Sequence, residues 1–120
     1  MAKKVLVVED NELNLKLFCD LLRAHDWVAE PVRDGREAVA RAAEIMPDLI
    51  VMDIQMPHVT GYELILALKA DEKLRKIPIM AVTAYSGRED EDRIRSAGAD
   101  AYVSKPISLA RFMEAVTSLT

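Results

Sequence analysis

The chain has 120 residues, 51% of them hydrophobic and 30% charged, with a net charge of −4; that is one domain with one core, and it excludes a disordered chain or a polybasic arm for nucleic acid or membrane. One cysteine, Cys19, and two histidines, His25 and His58, exclude a disulfide framework and a cysteine- or histidine-rich metal site. No apolar run reaches the ~20 residues of a membrane span and no signal-peptide pattern opens the chain, so a soluble cytoplasmic protein with no direct nucleic-acid or membrane partner is expected.

Short apolar runs alternate with longer segments of helical period. The first run, Val5-Leu6-Val7-Val8, precedes a stripe of Leu17, Phe18, Leu21 and Leu22. A weaker run from Val28 to Val32 precedes Ala38, Val39, Ala42 and Ile45, with Pro47 as a stop. Leu49-Ile50-Val51-Met52 precedes Leu64, Ile65 and Leu68; Ile77 to Val82 precedes a mostly charged segment ending at Gly98. Ala101-Tyr102-Val103 precedes Phe112, Val116 and Leu119, with Ser108 as the N-cap. The main runs alternate little in polarity, which is how strands covered on both faces read. Five β-α repeats, with strands starting near residues 4, 28, 49, 77 and 100, predict an α/β fold: a (βα)5 doubly wound, five-stranded parallel sheet. The last stripe runs to about the final residue, so one domain over 1–120 with no output module is expected.

In open α/β sheets the working residues lie beyond the C-terminal ends of the strands. There the first strand delivers Glu9, Asp10 and Asn11, the third Asp53, the fourth Thr83 and the fifth Ser104-Lys105-Pro106. Packed carboxylates repel, and desolvation at a strand end worsens this. A cation relieves it; with oxygen donors alone the fitting ion is hard, such as Mg²⁺, with Lys105 balancing further charge. Asp53, alone after four apolar residues, is a credible nucleophile toward a phosphoryl group, whose other oxygens Thr83 and Lys105 would contact. The plainer alternative makes Glu9, Asp10 and Asp53 turn or capping residues.

These residues resemble the receiver domain of two-component response regulators, whose fold is flavodoxin-like. The resemblance covers essentially the whole chain. It rests on Val7-Val8-Glu9-Asp10-Asn11, on Met52-Asp53-Ile54-Gln55-Met56-Pro57 followed by Gly61, on Val82-Thr83-Ala84 and on Ser104-Lys105-Pro106. The stretches Glu9 to Asn14 and Ser104 to Ser108 resemble more narrowly the single-domain regulators of bacterial cell-cycle and polarity control, the DivK type. The resemblance implies that Asp53 accepts phosphate from a histidine kinase or histidine phosphotransfer protein. It implies that Glu9, Asp10, Asp53 and the backbone carbonyl of Gln55 hold Mg²⁺, and that Thr83 and Lys105 hold the phosphoryl group. It further implies a cis Lys105-Pro106 bond and a switch role for Tyr102, coupled to Thr83. The output would be binding to downstream protein targets, by a monomer or weak dimer.

Other residues carry lesser expectations. Asn14 sits one turn after Asp10 on the inward arc. Leu13, Leu15 and Cys19 fall off that arc as a partly exposed docking patch. His25 serves the C-terminus of the first helix, while Tyr85 and Gln55 flank the site and modulate dephosphorylation. Three rival readings compete. An aspartyl-phosphate phosphatase usually has a second carboxylate two residues after the nucleophile, where this chain has Gln55. A flavin or nucleotide binder needs a Gly-rich loop after the first strand, where this chain has Glu9-Asp10-Asn11. A degenerate receiver that takes no phosphate is the third.

Overall fold

The structure, a computed structural model, describes residues 3–84 and 87–120. Its strands are β1 (Lys4–Val8), β2 (Val28–Val32), β3 (Leu49–Asp53), β4 (Ile79–Thr83) and β5 (Ala101–Ser104). Each is followed by a helix: α1 (Glu12–Ala24), α2 (Ala38–Ile45), α3 (Gly61–Ala70), α4 (Arg88–Ala97) and α5 (Leu109–Ser118). The strands form one parallel sheet in the order β2-β1-β3-β4-β5. The order reverses between β1 and β3, so the residues leaving those two strands are neighbours at the sheet's C-terminal edge.

Both faces of the sheet are covered, as the unbroken apolar runs require. Val5, Val7, Leu49, Val51, Met80 and Val82 pack toward residues of α1 and α5, where the rings of Phe18 and Phe112 stack 4.9 Å apart. Leu6, Val8, Ile50, Met52, Ile79 and Ala81 pack toward α2, α3 and α4. Successive side chains of one strand thus feed opposite layers.

Helix ends follow local chemistry. Asn11, Thr60 and Ser108 cap α1, α3 and α5 by accepting from the third residue onward, as Ser108 was expected to do. Helix α2 stops at Ile45 because Met46 is left-handed before Pro47, and Gly98, at φ 123°, closes α4. Two details differ from expectation. The fourth strand starts at Ile79 rather than near 77; Pro78 has no N–H to give and serves only as acceptor for Ile50. A 3₁₀ turn, Gly35–Glu37, precedes α2.

The inward arc of α1 also needs correction. It is Leu15, Phe18, Cys19 and Leu22, and Leu17 is 43% exposed. Leu15 and Cys19 are therefore core residues, because α1 is rotated to bring Phe18 against Phe112 of α5; Leu13 alone of the expected patch is open, at 79%.

Gly61 ties α3 to the end of β3. Its N–H donates to the Ile54 carbonyl at 3.0 Å, and a Cβ there would stand 2.6 Å from the Asp53 carbonyl oxygen and 2.7 Å from the Ile54 Cα. Backbone cannot yield as a side-chain tip does. Gly61→Ala is therefore expected to lower stability by about 1–3 kcal/mol, the usual cost of overpacking. Gly87→Ala, whose Cβ would meet only the Asp90 carboxylate at 3.1 Å, should change it by less than about 0.5 kcal/mol. Urea melts of the two variants check the contrast.

Candidate functional site

Strand register builds the site. Val8 pairs with Met52, so Glu9 and Asp53 leave adjacent strands side by side. Backbone bonds fix both: Glu9 N–H donates to Val32 O at 3.0 Å, and Ile54 N–H to Val82 O at 2.9 Å. Ligand oxygens of Glu9, Asp10 and Asp53 all lie within 4.8 Å of one another, with Glu9 and Asp53 each 1% exposed and Asp10 half-buried. Lys105 arrives from β5, where its own N–H donates to Thr83 O at 2.7 Å. Its Nζ stands 3.4 Å from Asp53 Oδ1 and 3.8 Å from Glu9 Oε2. The Lys105-Pro106 bond is cis.

Some of the plainer capping chemistry is present as well. Asn11 N–H donates to Glu9 Oε1 at 3.1 Å and Gln55 N–H to Asp53 Oδ1 at 3.3 Å. The second oxygens, Glu9 Oε2 and Asp53 Oδ2, are buried and accept no hydrogen bond. Turn formation uses one oxygen of each carboxylate and leaves the other aimed into the cluster. Orphaned buried carboxylate oxygens are costly, and a set made only of oxygens suits a hard divalent cation.

Burial dominates the electrostatics. It pushes Glu9 up to about 8, with the charge of Asp53 adding to the effect and Lys105 opposing it. Burial also raises Asp53, against the pull of Glu9, Lys105 and the Gln55 N–H. One ammonium cannot neutralise the group, so the metal-free cluster retains a proton near neutrality.

Thr83, at the end of β4, is fully buried. The Gln55 side chain, expected to flank the site, spans to it: Nε2 donates to Thr83 Oγ1 at 2.7 Å, and Oε1 accepts from Ala84 N–H at 2.8 Å. Only its position two residues after Asp53 hinted at involvement. Tyr102 lies outside the carboxylate cluster, half-buried on β5 against the layer under α2–α4. Burial, then Glu91 and Asp90 of α4, hold its phenol above the usual range. Asn14 is half-buried, and its N–H serves the Asn11 cap; His25 holds the end of α1 through Nδ1, 3.0 Å from Leu21 O. Tyr85 lies outside the described residues.

The family described as "Response regulator receiver domain" matches residues 5–117, and the chain belongs to it. It is a signalling domain of two-component systems rather than a classical enzyme, a phosphoryl-accepting switch that works with a kinase or phosphotransfer partner. The chain is 53% identical to the polar-differentiation response regulator DivK of Brucella ovis, over 98% of this chain and 96% of that protein. The DivK of Brucella anthropi is 52% identical over the same shares. Among solved structures, the chemotaxis response regulator CheY4 of Vibrio cholerae superposes with a TM-score of 0.94 at 26% identity, covering 100% of both chains. A receiver domain of a Syntrophus aciditrophicus signal transduction histidine kinase superposes at 0.90 with 35% identity, over 98% of this chain and 89% of that one. No helix among the described residues is long and apolar enough to cross a membrane.

The raised Glu9 pKa sets a pH dependence. Below about 4.5 the group is protonated folded and unfolded and contributes no penalty. Between there and about 8 the unfolded chain releases a proton that the folded chain keeps, so metal-free stability falls as pH rises. Glu9→Gln and Asp53→Asn should flatten that slope and be more stable than the parent at pH 8 in EDTA, by up to about 4 kcal/mol for Glu9→Gln. Urea midpoints from pH 4 to 9 measure it; identical slopes in parent and variants would mean that the carboxylates do not share one electrostatic site.

Proposed function

We propose that Asp53 accepts a phosphoryl group from a histidine kinase or histidine phosphotransfer protein, and that the modified domain then binds downstream protein targets. The observation that carries this reading is Asp53 itself: buried at the end of β3, with one oxygen held by Lys105 and the Gln55 N–H and the other accepting no hydrogen bond. In the transfer, an Asp53 carboxylate oxygen forms a bond to phosphorus as the donor's N–P bond breaks. The imidazole nitrogen keeps that electron pair and takes up a proton. Lys105 follows the charge to the new phosphoryl oxygens, and Thr83 supplies a hydroxyl. Glu9, Asp10, Asp53 and the Gln55 backbone carbonyl would hold Mg²⁺. When bound, the cation offsets the carboxylate and phosphoryl charge that Lys105 alone does not balance. Gln55 in place of a second carboxylate supports a switch over a phosphatase, since no acid/base stands at that position.

The strong likeness to DivK proteins along nearly the whole chain supports a role in cell-cycle or polarity control. The receiver domain acts by binding, as a monomer or weak dimer, through the face of α4, β5 and α5. There Tyr102 reports the movement of Thr83, biasing a pre-existing two-state equilibrium.

Incubation with acetyl phosphate and Mg²⁺ should add the mass of one phosphate to the parent and none to Asp53→Asn. EDTA and Asp10→Ala should reduce the gain alike, because both remove the cation. A phosphorylated Asp53→Asn protein would refute the assignment. Thr83→Ala should still take phosphate, yet its Tyr102 and α4 amide resonances should move much less on phosphorylation than those of the parent. Millimolar Mg²⁺ should raise the parent's urea midpoint at pH 7 and that of Asp10→Asn much less.

A further inference from the structure

Gln55 makes a two-point contact that the transfer chemistry does not use. Its carboxamide leaves the turn after β3 and grips the turn after β4, with Nε2 on Thr83 Oγ1 at 2.7 Å and Oε1 on the Ala84 N–H at 2.8 Å. Both are short, and together they satisfy a donor and an acceptor of one side chain in a fixed geometry. The grip falls where β4 gives way to the connection into α4. Helix α4 is itself lightly anchored: Ile94 is its one buried residue among those described.

We propose that the Gln55 carboxamide is a latch on the resting state, holding the Thr83–Ala84 turn in place until a phosphoryl group on Asp53 draws Thr83 away. The inference rests on the functional reading above and adds a residue to it. Gln55 is a positioning residue here: it acts through Thr83 and Ala84, not on the reacting atoms. Its two bonds exist in the resting arrangement and are given up, or remade at longer range, when Thr83 closes on the phosphoryl oxygens. A contact made in one state and lost in the other biases the equilibrium by its full worth. Gln55 is half-buried, so much of each bond's worth is regained from water when it breaks, which keeps the latch weak enough to open.

The test uses the whole chain, Mg²⁺ and beryllium trifluoride as the phosphoryl mimic. Gln55→Met keeps length and removes both bonds; Gln55→Ala is the second variant, should the thioether repack the turn. Without ligand, the Ala84 amide should exchange with solvent roughly five-fold faster in both variants, the factor set by one neutral hydrogen bond. The mimic should bind both variants about five-fold more tightly than the parent, and in the parent its binding should shift the Gln55 side-chain amide resonances. A purely structural role would predict equal or weaker mimic binding. Unchanged Ala84 exchange, equal or weaker mimic binding, or Gln55 resonances that stay fixed when the parent binds the mimic would each overturn the latch. Mimic binding to Asp53→Asn as tight as to the parent would overturn the site assignment, and with it the latch's trigger. Ala84 exchange, read without ligand, tests the grip itself and so separates the two failures.

Discussion

The side-by-side exit of Glu9 and Asp53 is the constraint on which the rest of the site depends. It is imposed by backbone pairing, not chosen by the side chains: the β1–β3 ladder runs from Val5 and Leu49 to Val8 and Met52, and the next residue of each strand is acidic. A one-residue slip would turn every side chain of a strand toward the opposite helix layer. The apolar layers therefore hold together two carboxylates that would otherwise separate. Lys105 is brought over them the same way, by a strand-end bond to Thr83 O two strands from Glu9. The charge imbalance is a product of the fold, and burial sharpens it into a raised Glu9 pKa.

Such a cluster works against folding, and the hydrophobic layers offset it. All four apolar residues of β1 and the first four of β3 are buried, and β4 is buried throughout. Naturally folded domains commonly keep a local conflict where function lies and balance it elsewhere. Here the conflict has a chemical use in the proposed reaction. A cation and a phosphoryl group would both act within this buried, unbalanced cluster, so a small chemical event at Asp53 would have a large electrostatic lever on its surroundings.

The sequence was legible where periodicity or strand position decided the outcome. Four-residue apolar runs after helical stripes leave little but a parallel sheet, and the rule that function collects at strand C-termini then singled out Glu9, Asp10, Asp53, Thr83 and Lys105 together. Helix α1 was less legible because it is rich in leucine. Phe18 and Leu22 share a 3.6-residue period equally with Leu17 and Leu21 or with Leu15 and Cys19, and only the packed fold selects the second pair. The bridge that Gln55 makes was not legible for a different reason: its partner Thr83 lies 28 residues away, and glutamine has no sequence pattern that fixes a partner. Carboxylates in a cluster announce themselves by charge, whereas an amide bridging two turns can be found only in three dimensions.

Unequal anchoring across the fold gives the direction of any response. Helix α1 buries four residues and α3 four, but α4 only Ile94 among its described residues, with acidic side chains filling its first turn. The guanidinium of Arg93 also ties it to α3, 4.1 Å from the centre of the Tyr62 ring, a contact that tolerates sliding better than an interlocked core does. Regions with few buried apolar contacts open at lower free energy than the rest. A displacement at the end of β4, as proposed above, would therefore meet stiff, doubly covered strands on one side and a loosely held helix on the other. In the proposed switch, motion would follow the softer path, into α4 and the half-buried Tyr102 on β5, so the asymmetry of the core, as much as the chemistry of Asp53, would decide which surface of this domain changes.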